Sequence, residues 1–248
     1  GVVFNLANLL IVAAISIAGM AVAFPVGIGI ALILGVLVNY VATPEGDPLY
    51  LFLGVFLVVL AIVLDALAYK FQAGGKSKSS NKGILISVIG GMLMGLFYRL
   101  VAASMSSNFI SPKEGLFTPY SALIIFSFGI LISNFLWNTY FMYKPVEGEI
   151  VQVKDYLNNG KFKTHLIGIF GGIVWCAGMS LSLLSSEKAG YPISYGLGQG
   201  ATMVAAAWGV FVWKEFKNAT TKVNILIALM FFLFIAGLIL IILSRVVE

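Results

Sequence analysis

Few side chains in this chain are able to do chemistry, and most of them sit inside apolar runs, where a polar group is costly and often functional. Asn134 and Asn138 are four apart and Asn5 and Asn8 are three apart, spacings that put each pair on one face of a helix. Each amide offers a donor and an acceptor, which suits a neutral polyol or amide-rich solute; hydrogen bonding between helices is the competing use. Gln199 falls near the middle of its apolar run and faces the same two uses. Trp175, Trp137, Phe24 and Tyr195 could stack on a flat ring or simply pack. Asp65 is the one carboxylate clearly within an apolar run, and is either an ion-coupling group or a solvated helix end. Arg99 snorkels to the outer interface or meets an anionic solute. Glu215 is an interface residue or a cytoplasmic gate.

Other chemistry is excluded by the same scarcity. One Cys and one His leave no disulfide framework and no multi-ligand metal site, so neither metal nor cofactor is expected. Gly75-Lys76-Ser77 looks like the end of a phosphate-binding loop, but Lys70 stands where that motif requires glycine. An intramembrane enzyme would need His, Asp or Cys clustered within a span, and no catalytic residue is assigned. A non-transporting scaffold is the other class left standing. The net charge of +5 is modest, and nothing points to nucleic acid.

The elements that must position these residues are membrane helices. The chain is 60% hydrophobic with a mean hydropathy of +1.02, more apolar surface than a soluble domain of this size hides, so the lipid bilayer is its solvent. The pattern predicts an all-α membrane protein with eight spans, at 1–18, 20–42, 49–69, 83–104, 117–142, 164–184, 189–213 and 222–245. Pro25 is expected near the start of the second span, where its missing N–H costs least. Eleven of the fifteen basic residues lie in 70–82, 143–163, 214–221 and the start of the last span. The positive-inside rule therefore sets those loops in the cytoplasm, under a cytoplasmic (inner) membrane, with both ends of the chain outside.

An offset of 171 residues carries Gly19 onto Gly190, Gly27 onto Gly198 and Gly29 onto Gly200. It also carries Phe4 onto Trp175, Phe24 onto Tyr195 and Ile28 onto Gln199. Spans one to three then match spans six to eight, while spans four and five have no earlier partner. The implied repeat is five helices, with two helices before Gly1, which already lies in an apolar run without a basic signal-peptide region. Five is odd, so the second repeat is inverted in the membrane, as in secondary transporters whose solute site lies between the halves. The expected organisation is 1–69 as the end of a first repeat, 70–82 as a cytoplasmic linker and 83–248 as a second repeat. The glycines at 27, 29, 196, 198 and 200 either pack helices closely or interrupt them where they line a cavity.

Several stretches resemble a known group of transporters. Gly1-Val-Val-Phe-Asn-Leu-Ala-Asn8, Ile17-Ala-Gly-Met20 and Gly35-Val-Leu-Val-Asn-Tyr40 are similar to the third and fourth spans of plant ureide permeases and of the bacterial glucose/ribose porters. Ser133-Asn-Phe-Leu-Trp-Asn-Thr-Tyr140 with Lys144-Pro145 resembles the end of their seventh span. Gly172-Ile-Val-Trp-Cys-Ala-Gly178, Lys188-Ala-Gly-Tyr191, Gln199 and Trp208-Gly-Val-Phe-Val-Trp-Lys-Glu215 resemble their eighth and ninth. Both groups belong to the drug/metabolite transporter superfamily. The resemblance implies ten spans, of which the first two are missing here, and uptake of small polar solutes such as sugars or ureides. It also implies alternating access driven by a proton or sodium gradient. Export of drugs or metabolites is the alternative within the superfamily.

Overall fold

The computed structural model describes residues 1–72 and 80–247. The expected Gly75-Lys76-Ser77 stretch, with Lys76 and Lys78, lies outside the described residues. The rest is helical: α1 (Val2–Ala18), α2 (Met20–Ala42), α3 (Pro48–Gln72), α4 (Asn81–Ser104), α5 (Pro119–Tyr143), α6 (Val153–Asn159), α7 (Phe162–Ala189), α8 (Tyr191–Gly198), α9 (Gly200–Ala207), a π-helical segment (Trp208–Val212) and α10 (Thr221–Val246). Among the described residues, six helices are long and apolar enough to cross a membrane: α2, α3, α4, α5, α7 and α10. Two of the eight expected spans differ from that pattern. α1 is apolar but has only 17 residues. The span expected at 189–213 is interrupted, its three short pieces following one another from Tyr191 to Val212. The polar segment 143–163 also contains one short helix, α6.

Glycines shape the two sharpest junctions. Gly19 joins α1 to α2 at φ 77°, ψ 156°, and Gly190 joins α7 to α8 at φ 84°, ψ 152°. This backbone region is essentially closed to residues with a Cβ. The two positions are those aligned by the 171-residue offset, and their conformations differ by only a few degrees. α2 begins at Met20, directly after the Gly19 turn, with Pro25 inside it one turn further on.

Small residues bring α1, α2 and α4 together. A Cβ on Gly91 would strike the backbone of Gly27, and one on Gly95 would press on Ala31 and Leu34. A Cβ on Gly90 would touch Ile11, and one on Gly83 would meet Ala18. α3 and α10 run antiparallel: the Asp47 N–H donates to Ser244 O at 2.7 Å, Gly54 and Gly237 meet backbone to backbone, and the Lys222 ammonium lies 3.9 Å from the centre of the Phe71 ring. In lipid there is no hydrophobic drive between helices, so such close approaches are what hold these pairs.

α5 and α7 stand apart from that packing. Only 17% and 11% of their most apolar stretches are buried, against 44% for α2 and α3. α5 is nevertheless well started, with Pro119 in its first turn and a reciprocal Thr118–Ser121 capping box.

Candidate functional site

Two adjoining cavities open among α1, α4, α5, α7, α8 and α9. The larger, about 660 Å³, is lined by Phe4 of α1, Ile28 of α2, Met94, Phe97 and Tyr98 of α4, Trp175, Met179 and Ser182 of α7, Tyr195 of α8, and Gln199. The smaller, about 480 Å³, is lined by Phe4, Asn5 and Asn8 of α1, Ser127 of α5, and Gly172, Trp175 and Cys176 of α7. Neither lining includes an acidic residue, Lys, Arg or His. A larger concavity of about 990 Å³ lies between 149–160 and the start of α7, and is lined by Glu149, Asp155 and His165 among others.

Aromatic rings form the walls. The Phe4 and Trp175 rings stack with centroids 4.8 Å apart and planes 28° apart, and Phe126 also stacks with Trp175, at 6.1 Å. Phe97 meets Phe4 edge-on at 4.9 Å, and Tyr98 lies 5.2 Å from Tyr195. Such offset and edge contacts fix ring positions beyond simple burial. The Tyr195 hydroxyl donates to Ala31 O at 3.1 Å, with Met94 O 3.3 Å away, which ties α8 to α2 and α4. Its ring occupies the space that a side chain at Gly35 would need. The Ser194 hydroxyl donates to Ser182 O at 2.6 Å.

The break at Gln199 is a local tightening of the helix. Its φ and ψ are −70° and −11°, its N–H reaches Gly196 O at 3.2 Å, and its own carbonyl accepts from Thr202 N at 3.0 Å and the Thr202 hydroxyl at 2.6 Å. These are three-residue turns of the kind that often mark a hinge in the middle of a helix. Gln199's carbonyl is thereby satisfied locally. Among the described residues its side chain makes no hydrogen bond, and neither does that of Asn8.

The expected site residues divide accordingly. Trp175, Tyr195 and Gln199 line the larger cavity, and Asn5 and Asn8 line the smaller one. Asn5 is 6% exposed and donates to the Ser133 hydroxyl at 3.0 Å, so its amide also serves as a link from α1 to α5. Phe24, Asn134, Trp137 and Asn138 line neither cavity. The spacing did place Asn134 and Asn138 on one face, but the two amides bond to each other at 2.7 Å. Trp137 keeps its indole N–H buried without a partner among the described residues.

The ionisable candidates lie towards the ends. Arg99 is half-buried on the last third of α4. Asp65 is half-buried on α3, one turn before Tyr69. The Tyr69 hydroxyl donates to the Glu215 carboxylate at 2.6 Å, and the Gln72 amide donates to the Glu215 carbonyl at 3.3 Å. Glu215 follows the π-helical segment and Lys214, whose φ of 56° is left-handed. It thus pins the C-terminal end of the interrupted span to α3. At the N-terminal end of that span, the Glu45 carboxylate accepts from Tyr191 N at 3.2 Å, at the start of α8. Sequence reasoning did not assign Phe97, Tyr98, Ser182 or Phe126 to the site. Their signal was weak: an aromatic pair directly after a glycine-rich stretch of α4, and serines at helical spacing on α7. Among the described residues, no three of His, Cys, Asp and Glu gather as metal ligands would.

Comparison with known proteins adds the following. The ureide permease family profile matches residues 72–244. The chain is 28% identical to ureide permease 2 of Arabidopsis thaliana over 160 residues, covering 62% of this chain and 39% of that protein. It is 26% identical to ureide permease 5 of the same plant over 179 residues, covering 70% of this chain and 42% of that protein. The chain thus spans about two fifths of the length of these curated relatives. No solved structure matches.

Proposed function

The chain belongs to the ureide permease family, and from that premise we propose that it forms the solute pathway of a multi-pass membrane permease for small, neutral, ureide-like or sugar-like molecules. Ureide permeases are transporters and not enzymes. The observation that carries the reading is the larger cavity: walled by aromatic rings, without a charged lining residue, and holding the uncommitted amide of Gln199. A flat polar solute gains ring contact on Trp175 and hydrogen bonds from Gln199, whose donor and acceptor are both available. A charged solute would find no counter-charge there.

Transport proceeds by alternating access, with the tight turn at Gln199 as the flexing point of the interrupted span. The similar turns at Gly19 and Gly190, and the stacking of the offset pair Phe4 and Trp175, support a pseudo-twofold arrangement of two inverted five-helix repeats, ten helices in all. The basic loops face the cytoplasm. A proton or sodium gradient drives uptake, with Asp65 as the coupling candidate beside the Tyr69–Glu215 contact.

The test is counterflow in proteoliposomes carrying the full-length protein, with glucose, allantoin (a ureide) and a cationic dye in separate arms. Exchange of glucose or allantoin but not of the dye supports the reading. Exchange of the dye alone moves it to drug export, and exchange of none, with folding intact, removes it.

A further inference from the structure

The Phe4–Trp175 stack borders both the smaller and the larger cavity. Those two residues and Gly171 line both cavities, whereas Gln199 and Ser182 belong only to one and Asn8 and Cys176 only to the other. Each compartment has the same equipment: a face of the shared aromatic pair, a hydroxyl, and one amide that makes no hydrogen bond among the described residues. An amide in a largely apolar span gains by finding a partner, so a polar guest in either compartment is favoured. Trp175 is 40% exposed and is not locked in place on every side.

We propose that the compartment of Asn8, Ser127 and Cys176 is a second solute site, in series with that of Gln199, and that the Phe4–Trp175 stack is the partition through which solute passes. The ligand is the same class of neutral, flat, donor- and acceptor-bearing solute, so the inference rests on the permease reading above. Solute moving between the compartments stays beside the aromatic pair and exchanges the Gln199 amide for that of Asn8. The indole has only to rotate away from Phe4, and the ring contact it loses is replaced by contact with the solute.

Cys176 offers a direct readout, since it lines only the second compartment and is half-buried. The full-length protein in proteoliposomes is treated with N-ethylmaleimide with and without allantoin, and alkylation of the Cys176 peptide is followed by mass spectrometry. Allantoin at ten times its dissociation constant is expected to slow alkylation about tenfold in the wild type. The protection is expected to persist in Gln199→Leu, which disables the first site, and to vanish in Asn8→Leu. Unchanged alkylation in a wild-type protein that still exchanges allantoin would overturn the second site while leaving the permease reading intact. Loss of protection in Gln199→Leu would do the same. Absence of exchange with every solute overturns both. The wild-type arm decides without any variant having to fold.

Discussion

α2 and the stretch from Tyr191 to Val212 are aligned by the 171-residue offset, yet one is a continuous helix and the other is interrupted. Both carry glycines at matching places, so glycine content alone does not break a helix. What differs is the surroundings. Gly27 of α2 is held between Ile11 and the α4 backbone at Ser87, with Gly91 pressed against it. Gly198, its offset partner, has no atom within 4 Å of where its Cβ would be; at the next pair the order reverses, with nothing within 4 Å of Gly29 and the Leu238 side chain beside Gly200. Around Gly27, where neighbours grip the chain, the helix stays regular despite Pro25 in its interior. Where the small residues border a cavity, the chain tightens at Gln199 and ends in a π-helical segment. The same contrast appears in the side chains: Ile28 and Gln199 are an offset pair, both line the larger cavity, and only one of them can hydrogen-bond.

Substitutions at these glycines separate grip from freedom. The largest effect is expected for Gly91→Val, which drives a branched side chain into the rigid backbone of Gly27 and should cost about 3 kcal/mol in thermal unfolding, at the upper end for overpacking. Next comes Gly190→Ala, at about 2 kcal/mol, from a backbone region that alanine avoids plus a collision with Glu45. Gly19→Ala shares the backbone conformation but meets no neighbour within 4 Å, so it should cost measurably less. Equal losses at 19 and 190 would mean that the Glu45 contact contributes nothing. The smallest effect is expected for Gly198→Ala. Better helix propensity should stabilise the protein by up to about 1 kcal/mol, while exchange slows because the turn at Gln199 stiffens. A destabilisation like that of Gly91→Val would show that position 198 is packed after all.

Much of this arrangement was legible in the residues. Apolar run lengths marked the helices, and the glycine offset picked out Gly19 and Gly190, whose turns have nearly the same dihedral angles. Gln199 stood out as a lone amide in an apolar run, and it lines the larger cavity. What spacing could not show is which partner a polar side chain chooses. Asn134 and Asn138 satisfy each other, and Asn5 is used on Ser133, because an i, i+4 neighbour or a facing hydroxyl is nearer than any solute. Nor could spacing show which aromatic residues face inward. Phe24 and Trp137 were as plausible as Phe97 and Tyr98. In the folded chain Phe97 and Tyr98 line the larger cavity, and Phe24 and Trp137 do not.

Gln199→Leu in the counterflow assay bears most directly on the role given to the interrupted span. The leucine keeps the size of the side chain and removes its donor and acceptor, so folding and thermal stability should stay close to wild type. Allantoin exchange should fall at least about tenfold, the equivalent of one lost hydrogen bond of ordinary strength. Exchange at the wild-type rate by a folded Gln199→Leu protein would contradict a solute-binding role for the break.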